Sequence, residues 1–368
     1  MKLLYFMLIF MLFFVYHHAD KHNRVCYITV DKNISIISSK NMKWSLCTHV
    51  IYSFVSLKNG TLNLDPIFLN YVLDMNSVKP DDIKTLFSIS GPFDFFDDYA
   101  KINKFIDSII DFCHKYHLNG VDIDWEFPYY THNKLNFSRL LSLIRDSFDK
   151  NSSNTTERLL LTVALSPILY IVDESYDILL VEKKVDFVNL MTYDYHSRNT
   201  IPLTCHNAPL YATKYDAFYF KYFNLNSSIE MITKKGLSRE KIMIGMPFYG
   251  YVYQLADPKY HSLWSPTIGT QEYVSYLNIC TLQKTPLSNV IRIFDTDSKV
   301  PYAYSGNKWF TYDDLESITV KSQWIVDTNL GGAMTFALNY DDVNNDCGEG
   351  VFSLQQRITD ILKNNLHI

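Results

Sequence analysis

Short apolar runs rich in β-formers recur along the chain, separated by amphipathic stretches of helical period. Residues 25–30, 48–55, 85–89, 159–165, 185–191, 242–246 and 332–337 each read as a strand. Turn signals such as Lys58-Asn59-Gly60 and Lys79-Pro80-Asp81 punctuate them. Residues 104–116 place Phe105, Ile106, Ile109, Ile110, Phe112 and Cys113 on one helical stripe, and 134–148 reads as a further helix. Strands that are apolar almost throughout, alternating with helices, imply a parallel sheet with helices packed outside it.

Residues 118–128, L-N-G-V-D-I-D-W-E-F-P, add an eighth strand with a different pattern. Asp122, Asp124 and Glu126 alternate with Val121, Ile123, Trp125 and Phe127. On a strand, all three carboxyls then line one face and the four apolar side chains the other. Carboxyls two residues apart are separated by roughly 6.5 Å, at about 3.3 Å rise per residue. Acids that close, in apolar company, must be solvated, paired or neutralised by a proton. Their titrations split, so one holds its proton near neutrality while a neighbour is ionised, as an acid catalyst requires. A wet, charged edge strand is the plain alternative, and the Trp-bearing apolar face argues against it. Eight strands suggest a closed (β/α)₈ barrel, in which catalytic groups stand at the carboxyl ends of strands. Glu126 ends its run just before Phe127-Pro128.

From 252 to 325 the alternation stops. This excursion contains P-Y-A-Y-S-G-N-K-W-F-T-Y-D-D, too aromatic for a disordered loop. At the start, Lys2 precedes an unbroken apolar run, 3–15, shorter than the roughly 20 residues that span a bilayer. It reads as a secretory signal, with an uncleaved anchor as the alternative. The expected organisation is a signal peptide over 1–19, a barrel built from 20–251 and 326–368, and a separate unit over 252–325. With 368 residues, 47% of them hydrophobic, the chain can build one large core. A net charge of -5 argues against nucleic acid or an anionic membrane as the main partner. Six cysteines suit a secreted chain with partial oxidation.

The run N-G-V-D-I-D-W-E resembles the signature of glycoside hydrolase family 18, D-G-x-D-x-D-x-E, with Asn119 where the family usually has its first Asp. Met191-Thr192-Tyr193-Asp194-Tyr195-His196 resembles the family's M-x-Y-D-Y-H run after the sixth strand. Gly245-Met246-Pro247-Phe248-Tyr249-Gly250 is similar to its seventh strand, and His206-Asn207-Ala208-Pro209-Leu210-Tyr211 to a following loop. The resemblance runs from about Arg24 to Leu354. It implies a (β/α)₈ TIM barrel with a small α+β insertion domain between strand 7 and helix 7. It implies catalytic roles for Glu126, Asp124, Asp122, Tyr193 and Asp194, and sugar contacts from Met191, Tyr249, Phe336, Tyr27, Phe54 and Trp125. It also implies disulfides Cys26–Cys47 and Cys280–Cys347, leaving Cys113 and Cys205 as separate thiols. No cofactor and no metal is expected, and no set of His, Cys and acids shows metal-ligand spacing.

Several positions depart from the family's pattern. Val30-Asp31 replaces Asn-Trp, Ser90-Gly91-Pro92 replaces Gly-Gly-Trp, Phe336 replaces the Trp that floors the reaction centre, and Tyr251 replaces an Arg. Lost aromatic faces should weaken outer sugar sites. Phe93, Phe95 and Phe96 are candidates to compensate. Asn119, one carboxylate fewer near the strand base, is expected to alter the pH profile. The function that the resemblance implies is a secreted, monomeric chitinase acting on chitin or chitooligosaccharide by the substrate-assisted retaining route. No membrane contact is expected after signal cleavage. With no carbohydrate-binding module in view, contact with polymer falls to the groove or to a partner chain. A chitin-binding lectin of the same fold is one alternative, although such proteins typically lose the acid at position 126. An endo-β-N-acetylglucosaminidase acting on N-glycans is another, although such enzymes generally lack the 252–325 excursion.

Overall fold

The computed structural model describes residues 21–31, 37–91, 93, 99–152, 157–196, 201–285 and 289–364. The signal-peptide expectation, and Phe95 and Phe96, lie outside the described residues. Eight strands close into a ring: β1 (Asn23–Thr29), β2 (His49–Lys58), β4 (Lys84–Ser90), β5 (Gly120–Asp124), β6 (Leu160–Leu165), β7 (Phe187–Leu190), β8 (Ile242–Pro247) and β14 (Gly332–Phe336). Each pairs in parallel with its neighbours, and β1 closes the ring against both β2 and β14. A short strand β3 (Thr61–Asn63) folds back on β2 through the Asn59-Gly60 turn. The fold is a (β/α)₈ TIM barrel, and all eight sequence-predicted runs are its strands.

The strands are buried nearly along their whole length because helices cover them outside and side chains fill them inside. Helix Tyr99–Tyr116 buries the predicted stripe and begins earlier than the periodicity suggests, extending the stripe to Ile102. Helix Tyr130–Asn151 buries Phe137, Leu140, Leu141, Ile144 and Phe148. Both belong to one continuous barrel core.

Between β8 and β14 the chain builds a five-stranded antiparallel sheet, ordered β10 (Thr267–Ser275), β9 (Tyr249–Leu255), β13 (Lys308–Thr311), β12 (Val300–Ser305) and β11 (Ile291–Asp295). It has its own apolar clusters, one around Tyr253, Leu255, Tyr302 and Trp309. The sheet starts at Tyr249 rather than 252. The following helix, Leu315–Asp327, buries Ile318 and Ile325 in the barrel core. Cys26–Cys47 ties β1 to the approach to β2, with Cα atoms 6.0 Å apart, and Cys280–Cys347 ties helix Tyr276–Lys284 to the loop after β14. Cys113 and Cys205 are free and buried.

Gly120 opens β5 where it meets β6. A Cβ there would stand 2.1 Å from the Leu160 carbonyl oxygen, a contact with backbone that no rotamer change relieves. Gly120→Ala should therefore lower stability by about 3 kcal/mol or more through overpacking. Urea denaturation would read this as a shifted midpoint. A midpoint within about 0.5 kcal/mol of the parent would show that the strand pair can spread.

Candidate active site

Strand β5 aims Asp122 and Asp124 into the barrel, and Glu126 stands two residues past the strand's end. Asp122 is fully buried. Its neighbours by strand register are Ser88 on β4 and Thr162 on β6, and both donate to it, at 2.7 and 2.6 Å. The Tyr27 hydroxyl on β1 donates at 2.7 Å and the Asn189 amide on β7 at 3.1 Å. Burial pushes the Asp122 carboxyl above its ordinary range, and these four donors hold the rise back.

Asp124 is nearly as buried, and its Oδ1 has no hydrogen-bond partner. Burial first, then the charges of Glu126 and Asp122, push its carboxyl well above the usual range. It lacks the donors that hold the Asp122 carboxyl down, so less offsets the rise. Glu126 opens onto the cavity, yet its enclosing walls raise its pKa, and Asp194 adds to the rise.

Asp194 follows β7 in a left-handed backbone conformation (φ 56°). Its N–H donates to the Asn207 side chain at 3.0 Å, and its carboxylate accepts from Tyr249 at 2.8 Å and Tyr251 at 2.7 Å. Burial raises its pKa, and the two tyrosines oppose the rise.

Asp124, Glu126 and Asp194 line a cavity of about 630 Å³ together with Tyr27, Phe54, Met191, Tyr193, Tyr249 and Phe336. Phe336 lies among Tyr27, Phe54 and Tyr193 at ring separations of 5.8, 6.1 and 6.1 Å. No basic side chain is among the lining residues described. Every candidate except Trp125 thus reaches the cavity or, for Asp122, lies beneath it.

Trp125 is corrected. It lies on the opposite face of the β5 run, stacked on Phe93 at 4.9 Å and edge-on to Phe137 at 6.2 Å, behind the barrel wall. Phe93, 3% exposed, is its packing partner and not a sugar platform. Phe127 turns into the cavity because the strand has ended at Asp124 and the alternation no longer holds. Asn119 sits at the base of β5, where its Oδ1 accepts the Thr85 N–H at 2.8 Å. It stitches β5 to β4 at the end away from Glu126.

Sequence reasoning missed Ser88, Thr162 and Asn189. Their signal was a polar residue interrupting an apolar strand. It also missed Tyr251 and Asn207 as the groups that hold Asp194, and Tyr129, Tyr170, Phe220 and Phe223 as cavity lining. The last two come from 213–223, where no periodicity marks them.

A family model, Glycosyl hydrolases family 18, matches residues 23–341. Chitinase-3-like protein 2 of Homo sapiens is 30% identical over 366 residues, covering 92% of this chain and 92% of that protein. Human YKL-39, a pseudo-chitinase with retained chitooligosaccharide binding properties, superimposes with a TM-score of 0.87 at 29% identity, covering 93% of this chain and 99% of that one. The Ostrinia furnacalis Group IV chitinase, solved in complex with allosamidin, does so with a TM-score of 0.86 at 29% identity and the same coverage. The chain belongs to glycosyl hydrolase family 18, as a chitinase or a chitinase-like protein.

Proposed function

We propose that the protein is a secreted chitinase that hydrolyses the β-1,4 links of N-acetylglucosamine polymers. The observation that carries this reading is the carboxyl series of β5. It holds one acid in a cradle of donors, one buried with an unpartnered oxygen, and one opening onto the cavity. Glu126, its pKa raised, protonates the glycosidic oxygen. The substrate's own 2-acetamido oxygen attacks the anomeric carbon, so no protein nucleophile is needed and the configuration is retained. Asp124 holds the acetamido N–H and stabilises the oxazolinium ion, with Asp122 behind it setting which acid keeps the proton. Tyr193 donates to the acetamido oxygen, and Asp194 holds the distorted sugar. Glu126 then takes a proton from the incoming water. Among the described residues the cavity is lined by acids and aromatic faces and by no cation, which suits a neutral sugar. The sheet that follows β8 serves as an insertion domain beside the groove.

A second reading is a chitooligosaccharide-binding protein without turnover, favoured by the likeness to the pseudo-chitinase YKL-39. Retention of Glu126 speaks for the enzyme.

Release of fluorophore from a β-linked tri-N-acetylchitotrioside decides between them. The parent should turn over, and Glu126→Gln should lose about 10³-fold in kcat/KM, the contribution of a positioned general acid. No turnover by the parent, with chitooligosaccharide still raising its melting temperature, would establish the binding protein instead.

The pH dependence follows from the same acids. Glu126 must be protonated to act, so its raised pKa carries the alkaline limb of the rate above the ordinary range of a glutamate. Part of that rise is repulsion from the Asp194 carboxylate. Asp194→Asn removes it and should move the Glu126 titration, followed by carboxyl ¹³C NMR, to lower pH, with the alkaline limb of any remaining activity moving the same way. An unmoved titration would mean that burial alone sets this acid.

A further inference from the structure

The segment 213–223 carries an unusual share of aromatic side chains, and they point two ways. A single 3-10 turn spans Phe218–Tyr222. In such a turn, residues three apart share a side. Phe220 and Phe223 share the inner side and line the catalytic cavity, packed 5.8 Å from each other. Tyr219 and Tyr222 face outward, 80% and 53% exposed, with Phe218 at 86% and Tyr215 at 66%. Four large rings left in water on one short segment exceed the scattered exposed hydrophobic residues of an ordinary surface.

This surface is anchored. His196 packs on Phe220 at 5.4 Å and on Phe223 at 5.5 Å. Trp264 packs on Phe220 at 5.1 Å. Within the segment, Asp216 accepts the Thr213 N–H at 2.7 Å. On its far side, Trp264 joins Tyr215, Tyr302, Lys214 and Asp297 around a second cavity of about 680 Å³. The Phe220–Trp264 pair is therefore a shared wall, with the catalytic cavity on one side and an aromatic cavity with polar edges on the other.

We propose that the outward face of 215–222, with Trp264 and the second cavity, is a docking surface for the insoluble sugar polymer whose chain enters the catalytic cavity. This deepens the proposed function and rests on it. Continuity argues for the occupant, since one segment supplies Phe220 and Phe223 to the cavity wall and the exposed rings to the neighbouring surface. The chemistry agrees. The flat C–H faces of β-linked pyranose rings stack on aromatic rings, and their hydroxyl and acetamido groups need donors and acceptors of the kind Lys214, Ser262 and Asp297 offer at the edges. A net charge of -5 disfavours an anionic membrane at the same face.

The test uses the full mature chain carrying Glu126→Gln, so that polymer is not consumed, with and without Phe218→Ser, Tyr219→Ser and Tyr222→Ser together. Adsorption to insoluble chitin is measured beside titration with tri-N-acetylchitotriose, which occupies only the cavity. The proposal expects the triple variant to lose about tenfold or more in affinity for polymer while its affinity for the trisaccharide is unchanged. Equal polymer adsorption by both proteins would overturn the docking surface and leave the proposed function standing. A parent that binds neither ligand would overturn both. Binding of the parent to phosphatidylcholine vesicles, or its self-association, lost in the triple variant while polymer adsorption persists, would assign the rings to another partner and also overturn the proposal.

Discussion

Asp122 is the constraint on which the site depends. A carboxylate at the centre of a barrel is tolerated only when donors replace the water it has lost. Four strands contribute one donor each, from Tyr27, Ser88, Thr162 and Asn189. The register of the barrel, rather than a loop, delivers Ser88 and Thr162 to it. Slippage by one residue in either strand pair would turn that pair's hydroxyl to the other face and take a donor from the buried acid. Closure of the ring and ionisation at its centre are thus one requirement seen from two sides. Gly120, which lets β5 and β6 approach, belongs to it as well.

With Asp122 so held, the other acids take their states from what they lack. Asp124 has an unpartnered oxygen and two acidic neighbours, so burial and repulsion push its carboxyl up with little to offset them. Glu126 stands past the end of the strand, where it can exchange protons with whatever occupies the cavity. The gradient from donor-rich base to open mouth separates three chemically identical groups into three roles, which is how paired acids are assigned in general.

The period of two made this gradient legible in the sequence, and the same rule placed Trp125 on the outer face. The resemblance implied a sugar contact from that ring, and the strand geometry prevailed, with Phe93 and Phe137 as its packing partners. The eight strands were legible because apolar runs with turn punctuation are local. The cradle of Asp122 was not, since its donors lie up to 95 residues away in sequence and meet only when the ring closes. Tyr251 was visible only as a missing arginine. The outward rings of 215–222 had no signal, because exposure follows from which side of a single turn faces the barrel.

Tyr251 alters the electrostatics of the site more than a loss would. Tyr249 and Tyr251 satisfy both oxygens of Asp194 with neutral hydroxyls. An arginine at position 251 would give Asp194 a full positive charge for a partner and hold its carboxyl low. The tyrosine offers a hydrogen bond without that charge, so burial still raises Asp194. With no cation lining the described cavity, nothing there offsets the repulsion between Asp194 and Glu126. The replacement leaves Asp194 fixed in place and leaves the proton on Glu126 harder to remove, and both effects favour an acid that stays protonated toward neutral pH.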